Sequence, residues 1–415
     1  MPTDISTPDG LARAVRRNTV LLASTTAVTS ATLQLVAALS SSTFVLATGV
    51  EGLLGLGPAI FLSTAALTAV PAGRFMDRRG RVPVLAAGYL LGMVGGVVTA
   101  LGGRSSSGAG VILGFVLIGA SSGIALLGRA AAGDMHPPER RARGIAVVLF
   151  GAVFGAILGP LVFGPLFAGK DLTTSTVAAP WLVAAGFMAI GLVLMLFVRP
   201  DPKRIAEQIA PDRVGPAPPA APLSEILRRP GVVPALIAAQ ASFGVMVSVM
   251  NLTGYAVTHE HHHPQSSVFP IIGAHVLGMY ALVLVVGRLV DRFGGVALVG
   301  GLVLEGMSAL GLAWAESVPA TAVLLFGLGL GWSLSFVAAT TALVNRAAPA
   351  ERGRLLGFND LTAGLLGASL ALIGGYALEA LGVAALAVGA VTLTVIPAIT
   401  IAGFAPWRPA PAPAD

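Results

Sequence analysis

Met246 and Met250 stand four residues apart, and so do His275 and Met279. At helical pitch each pair shares one face. Both pairs fall inside long apolar runs. Counted from the polar loop between those runs, Met246 is about ten residues deep and His275 about nine, or roughly 15 Å at 1.5 Å per residue, near the middle of a bilayer. Thioethers are soft, uncharged ligands that select Cu(I), and imidazole suits copper as well. If the two runs pack as antiparallel neighbours, three sulfurs and one imidazole face one another at one level. Methionine also fills gaps in any apolar core, and a buried histidine also serves helix packing or proton handling.

The loop between the two runs adds His259, Glu260, His261, His262 and His263, so that five of the six histidines lie between positions 259 and 275. Imidazoles with a carboxylate at a pore mouth can collect transition-metal ions and load the deeper site. Other polar groups in apolar runs are few. Glu305 sits in the middle of its run and reads either as a path or proton site or as a buried acid; Gln240, Asn251 and Tyr280 are candidate path residues. No Lys or Arg falls at mid-depth, so the cationic clamp that an organic anion needs is missing.

Positioning these groups requires membrane-spanning helices. Of 415 residues 55% are hydrophobic and 11% charged, with mean hydropathy +0.86; soluble domains carry about 25% charged residues. A soluble enzyme and a nucleic-acid-binding domain are excluded. With no Cys, disulfides, thiolate metal sites and cysteine nucleophiles are excluded too. Apolar runs predict spans at 19–40, 52–73, 83–102, 109–131, 144–167, 179–198, 231–256, 266–287, 296–314, 319–343, 355–378 and 382–404. Helices satisfy their own backbone in lipid, whereas a β-barrel needs short alternating strands. The first run continues as a full span, so no cleavable leader is expected. Of the 25 basic residues all but Arg104 and Lys170 fall on one side of this alternation. The positive-inside rule then puts both termini and the central loop in the cytoplasm.

The chain repeats itself. Gly73-Arg74-Phe75-Met76-Asp77-Arg78-Arg79-Gly80-Arg81 follows the second span, and Gly287-Arg288-Leu289-Val290-Asp291-Arg292 follows the eighth. Pro138-Glu139-Arg140 precedes the fifth span, and Ala350-Glu351-Arg352 the eleventh. An internal repeat of this kind implies two parallel six-helix bundles, 1–198 and 231–415, joined by a Pro-rich linker, 199–230. Within it, 223–229 is expected as a short surface helix.

The Gly-x-x-x-Asp-Arg-x-Gly-Arg loop resembles the signature of the major facilitator superfamily. That resemblance covers the whole chain and implies an all-α, twelve-helix transporter working by alternating access, with a substrate site between the halves. The loop residues Gly73, Asp77, Arg78, Gly80 and Arg81, with Asp291 and Arg292 in the second copy, would gate it, Asp77 pairing with a cation such as Arg129. Met-x-x-x-Met followed by His-x-x-x-Met resembles, more narrowly, the CcoA-like (CalT) copper importers of that superfamily. By that resemblance Met246, Met250, His275 and Met279 bind copper. The implied protein is not an enzyme and holds no permanent cofactor. Copper is its transported substrate, and its partners are the lipid bilayer of the bacterial inner membrane and copper chaperones on either side. The main rival is a proton-coupled drug or metabolite exporter, for which Gly155-Ala156-Ile157-Leu158-Gly159-Pro160 partly resembles the antiporter motif.

Overall fold

The computed structural model describes residues 7–136, 141–209, 221–347 and 351–403. The Pro138–Arg140 stretch and Ala350 of the repeated loops lie outside the described residues, as does the side chain of Asp77. Every regular element among them is helical. The first helix, α1 (Pro8–Thr48), starts where Thr7 accepts the Gly10 N–H at 3.2 Å and Pro8 fixes the first turn. It stops at Gly49, whose φ of 71° suits glycine. Then follow α2 (Leu56–Arg79), α3 (Arg81–Arg104), α4 (Gly108–Ala125, continued by Gly128–Asp134), α5 (Arg141–Leu166) and α6 (Ala178–Leu196).

Beyond the linker come α7 (Val232–Tyr255), α8 (Val268–Tyr280), α9 (Gly295–Gly311) and α10 (Val318–Arg346). The last element, Arg352–Gly403, is broken at Gly382 (φ 76°) into α11 (352–381) and α12 (383–403). Among the described residues each of the twelve predicted runs is thus largely helical. Counting 354–402 as one, nine described helices are by themselves long and apolar enough to cross a membrane. A tenth arises when α8 is joined to Val283–Phe293 across a 44° bend, and α9 is a shorter apolar helix. Side chains such as Val296 and Leu381 stay more than 70% exposed, as expected where lipid is the solvent. The linker end forms two short helices: Pro202–Ile209, which buries Ile205, and Leu223–Leu227, which buries Ile226.

Packing defines two ends of the molecule. At the basic end the linker grips the repeated loops. Gly80 turns with φ 96°, and the Asp201 carboxylate accepts the Arg81 and Val82 N–H groups at 3.0 and 2.9 Å, capping α3 from outside its own chain segment. An Asp201→Ala change should lower stability by about 1 kcal/mol, read as a lower unfolding temperature, with Asp201→Asn milder. Arg229 meets Glu351 through two hydrogen bonds of 2.6 and 2.9 Å. That pairing holds the Arg229 guanidinium above its usual pKa. Glu351 is almost fully buried, so Arg229→Gln should lower the unfolding temperature more than Arg228→Gln does.

At the opposite end, helices from before and after the linker close on one another. A Cβ at Gly375 of α11 would stand 2.5 Å from the Gly55 nitrogen ahead of α2, and one at Gly254 of α7 would stand 2.6 Å from the Ala38 carbonyl oxygen of α1. Phe269 of α8 stacks on Phe163 and Phe167, each at 5.7 Å. Small residues permit this approach of backbone to backbone.

Candidate functional site

His275 is fully buried, and its Nδ1 lies 2.9 Å from the Leu325 carbonyl oxygen of α10. A carbonyl only accepts, so Nδ1 carries the hydrogen. Nε2 has no partner. Glycines make this seat: a Cβ at Gly329 would stand 3.2 Å from His275 Nδ1, and one at Gly278 would strike the Phe326 carbonyl. The Met279 N–H faces the same Gly329, so His275 and Met279 share the face of α8 that meets α10.

Met246 is buried and Met250 partly buried on α7. Ser242, one turn before Met246, meets Ser335 of α10 at 2.6 Å. Along α10, Ser242 thus meets residue 335 and His275 meets residues 325–329. The three methionines belong to or pack against one apolar cluster. The expectation that α7 and α8 are close neighbours needs correction, because they touch only sparsely and each packs on α10 instead. A chain of rings runs between them: Tyr280 to Trp332 at 6.1 Å, Trp332 to Phe336 at 4.9 Å, and Phe336 to Phe243 at 6.4 Å. The sequence reading missed this chain; its only trace was the four-residue spacing of Trp332 and Phe336.

Glu305 is fully buried between α9, α7 and α10, with the Ser242 and Ser335 hydroxyls and the Met246 backbone amide against its carboxyl. Neither carboxyl oxygen reaches hydrogen-bonding geometry. Gln240 donates to Thr362 at 2.8 Å, and Asn251 donates to the Val247 carbonyl at 2.7 Å while its own oxygen is buried without a partner. Tyr280 belongs to the ring chain.

The histidine loop does not assemble as a chelate. His259 stacks on Tyr255 with ring centroids 3.9 Å apart, and its Nδ1 is 2.9 Å from the Thr258 hydroxyl. His263 Nε2 donates to the Glu316 carbonyl at 2.6 Å. Glu260 and His262 are exposed, and His261 is half-buried. Among the described residues no three His, Cys, Asp or Glu side chains come together as a metal-holding group. Neighbours in sequence diverge here because His262 adopts φ 54° and turns the chain between His261 and His263.

In the gating loop Arg81 pairs with Asp134 at 2.8 Å and donates to the Met76 carbonyl. Gly73 is half-buried and Arg78 exposed; Asp291 and Arg292 are exposed, with Arg292 over the Phe293 ring at 5.2 Å. The expected pairing of Arg129 with Asp77 falls on a side chain outside the described residues; Arg129 pairs with Asp360 of α11 at 2.8 Å. The two are 231 positions apart, and the pair bridges helices from before and after the linker. Both groups are about one-third exposed, so the pair should contribute only about 0.2–1 kcal/mol. Either charge reversal alone, Arg129→Asp or Asp360→Arg, should slow transport, and the double reversal should recover most of it.

The sequence profile described as Major Facilitator Superfamily matches residues 19–372. The chain is 29% identical over 362 residues to the uncharacterized MFS-type transporter YdeG of Bacillus subtilis, covering 85% of this chain and 84% of that one. It is also 29% identical over 361 residues to the riboflavin transporter RfnT of Brucella anthropi, with coverage of 84% and 86%. Among solved structures it is similar to the partially occluded inward-open xylose transporter XylE of E. coli. That likeness has a TM-score of 0.71, covers 95% and 98% of the two chains at 14% identity, and speaks to the fold alone.

Proposed function

Since the chain belongs to the major facilitator superfamily, we propose that this membrane transporter imports copper across the bacterial inner membrane by alternating access. Two six-helix bundles, 1–198 and 231–415, rock about the substrate site. Both termini and the linker 199–230 face the cytoplasm. Met246, Met250, His275 and Met279 bind the ion at mid-depth, and the loop His259–His263 meets it on the far side without forming a fixed site.

One observation supports this reading above the rest. His275 commits Nδ1–H to a backbone carbonyl and keeps Nε2 buried and unpartnered. Metal-binding histidines are held in this way, with one nitrogen tethered and the other presenting its lone pair. The thioethers would add soft donors without charge. An emptied neutral site can cross between its two states without carrying bare carboxylates through a low-dielectric core.

A second reading has its own support. The Phe243, Phe336, Trp332 and Tyr280 ring chain, with the Trp332 N–H buried and unpartnered, suits a planar aromatic molecule, and one relative is a riboflavin transporter. Uptake by the purified chain in proteoliposomes separates the two. Copper import predicts accumulation of radiolabelled Cu(I) that riboflavin in excess leaves unchanged. Flavin uptake without copper uptake would replace the first reading with the second.

A further inference from the structure

We infer that the basic end carries an anionic phospholipid site between α1, α2, α3, α6 and the linker helix Pro202–Ile209, a property separate from the cargo. A pocket of about 1330 Å³ opens there. Its polar wall draws Arg17 from α1, Arg78 and Arg79 from the end of α2, and Arg199, Lys203 and Arg204 from the linker. Against these six cations stand two carboxylates, Asp201 and Glu207. Asp201 is already engaged, since its two oxygens accept the backbone N–H groups of Arg81, Val82 and Lys203. The lining of the pocket carries four more cations than carboxylates.

Its other wall is apolar. Val193, Leu196 and Phe197 at the end of α6 line the pocket and are 49–65% exposed. They continue the outward-facing side of a membrane helix, so the cavity is cationic at its mouth and greasy along its flank. A soluble anion would use only the first feature. A phospholipid uses both, its phosphodiester among the guanidinium groups and an acyl chain along α6. The linker helix fits this role, with Ile205 buried beneath it and its basic residues at the pocket. Lipid binding there would fasten the start of the linker to the loop between α2 and α3 in the leaflet that this end meets.

Native mass spectrometry of the full purified chain tests the site. Phosphatidylglycerol should bind at a concentration at least about tenfold lower than phosphatidylcholine. The triple change Arg199→Gln, Lys203→Gln, Arg204→Gln should weaken phosphatidylglycerol binding about 100-fold, on a scale of about fivefold per basic residue, and leave phosphatidylcholine binding as it was. Should the triple variant not fold, Arg204→Gln alone should weaken binding about fivefold, with Arg204→Lys close to the original. Equal binding of the two lipids, unchanged affinity in a folded variant, or full displacement by millimolar inorganic phosphate would overturn the proposal.

Discussion

His275→Ala is expected to abolish copper accumulation, lowering uptake by roughly 100-fold or more, the upper end of what loss of even an outer partner of a metal ligand costs. The effect is large because the imidazole is the one nitrogen donor in the proposed site and its ring is already held by one hydrogen bond. Its Nδ1–H is spent on the Leu325 carbonyl, and its Nε2 has no other use among the described residues. His275→Gln is the informative companion. Its amide keeps a donor for the Leu325 carbonyl but supplies no soft nitrogen, so folding should be retained while uptake stays lost. Single changes of Met246, Met250 or Met279 to Leu preserve volume and apolar character and remove one thioether each. Each should cost less than the histidine does, and together they should match it. Uptake of radiolabelled Cu(I) into proteoliposomes, with size-exclusion profiles as the folding control, reads all of these. Uptake retained in His275→Ala would leave the ring as a packing device between α8 and α10.

The second large effect concerns the closed end. Gly375→Val should trap the transporter with that end open and bring uptake below roughly a tenth. A side chain at this position meets the Gly55 backbone at 2.5–2.6 Å, and backbone cannot swing aside as a flexible side chain does. Overpacking of this kind costs about 1–3 kcal/mol, which shifts a two-state equilibrium about 5- to 150-fold. The conformation without that contact escapes the cost. The absence of Cys from the chain gives a clean reporter. Ala38→Cys and Gln265→Cys place thiols at positions that are 2% and 6% exposed here. Both should react slowly in the parent and quickly beside Gly375→Val. Slow labelling in the double variants would show that the closed end tolerates the extra bulk.

Secondary structure was legible because lipid imposes a length and a composition on each span, and the twelve apolar runs correspond to helices. The limits were less so. The first run reads as 19–40 from hydropathy, yet the helix spans Pro8–Thr48, because polar helical turns project beyond an apolar core without changing its signal. The break between the last two spans was legible as a position, and its cause is the backbone of Gly382.

Lateral choice of partner was not legible. Whether α8 packs on α7 or on α10 depends on which glycines allow backbone approach, and Gly329 and Gly278 decide it. The Arg129–Asp360 pair and the four-ring chain unite residues from distant parts of the chain, and no local spacing announces them. The arrangement inside the loop from His259 to His263 was not legible either: one ring stacks on Tyr255 and another donates to the Glu316 carbonyl.

Copper as cargo is tested most directly by X-ray absorption of the purified chain loaded with one equivalent of Cu(I). A shell of sulfur with one imidazole nitrogen is expected, and the nitrogen contribution should vanish in His275→Gln. A chain that binds no Cu(I), or one whose copper sits among oxygen and nitrogen neighbours unaffected by that substitution, would contradict the Met/His site.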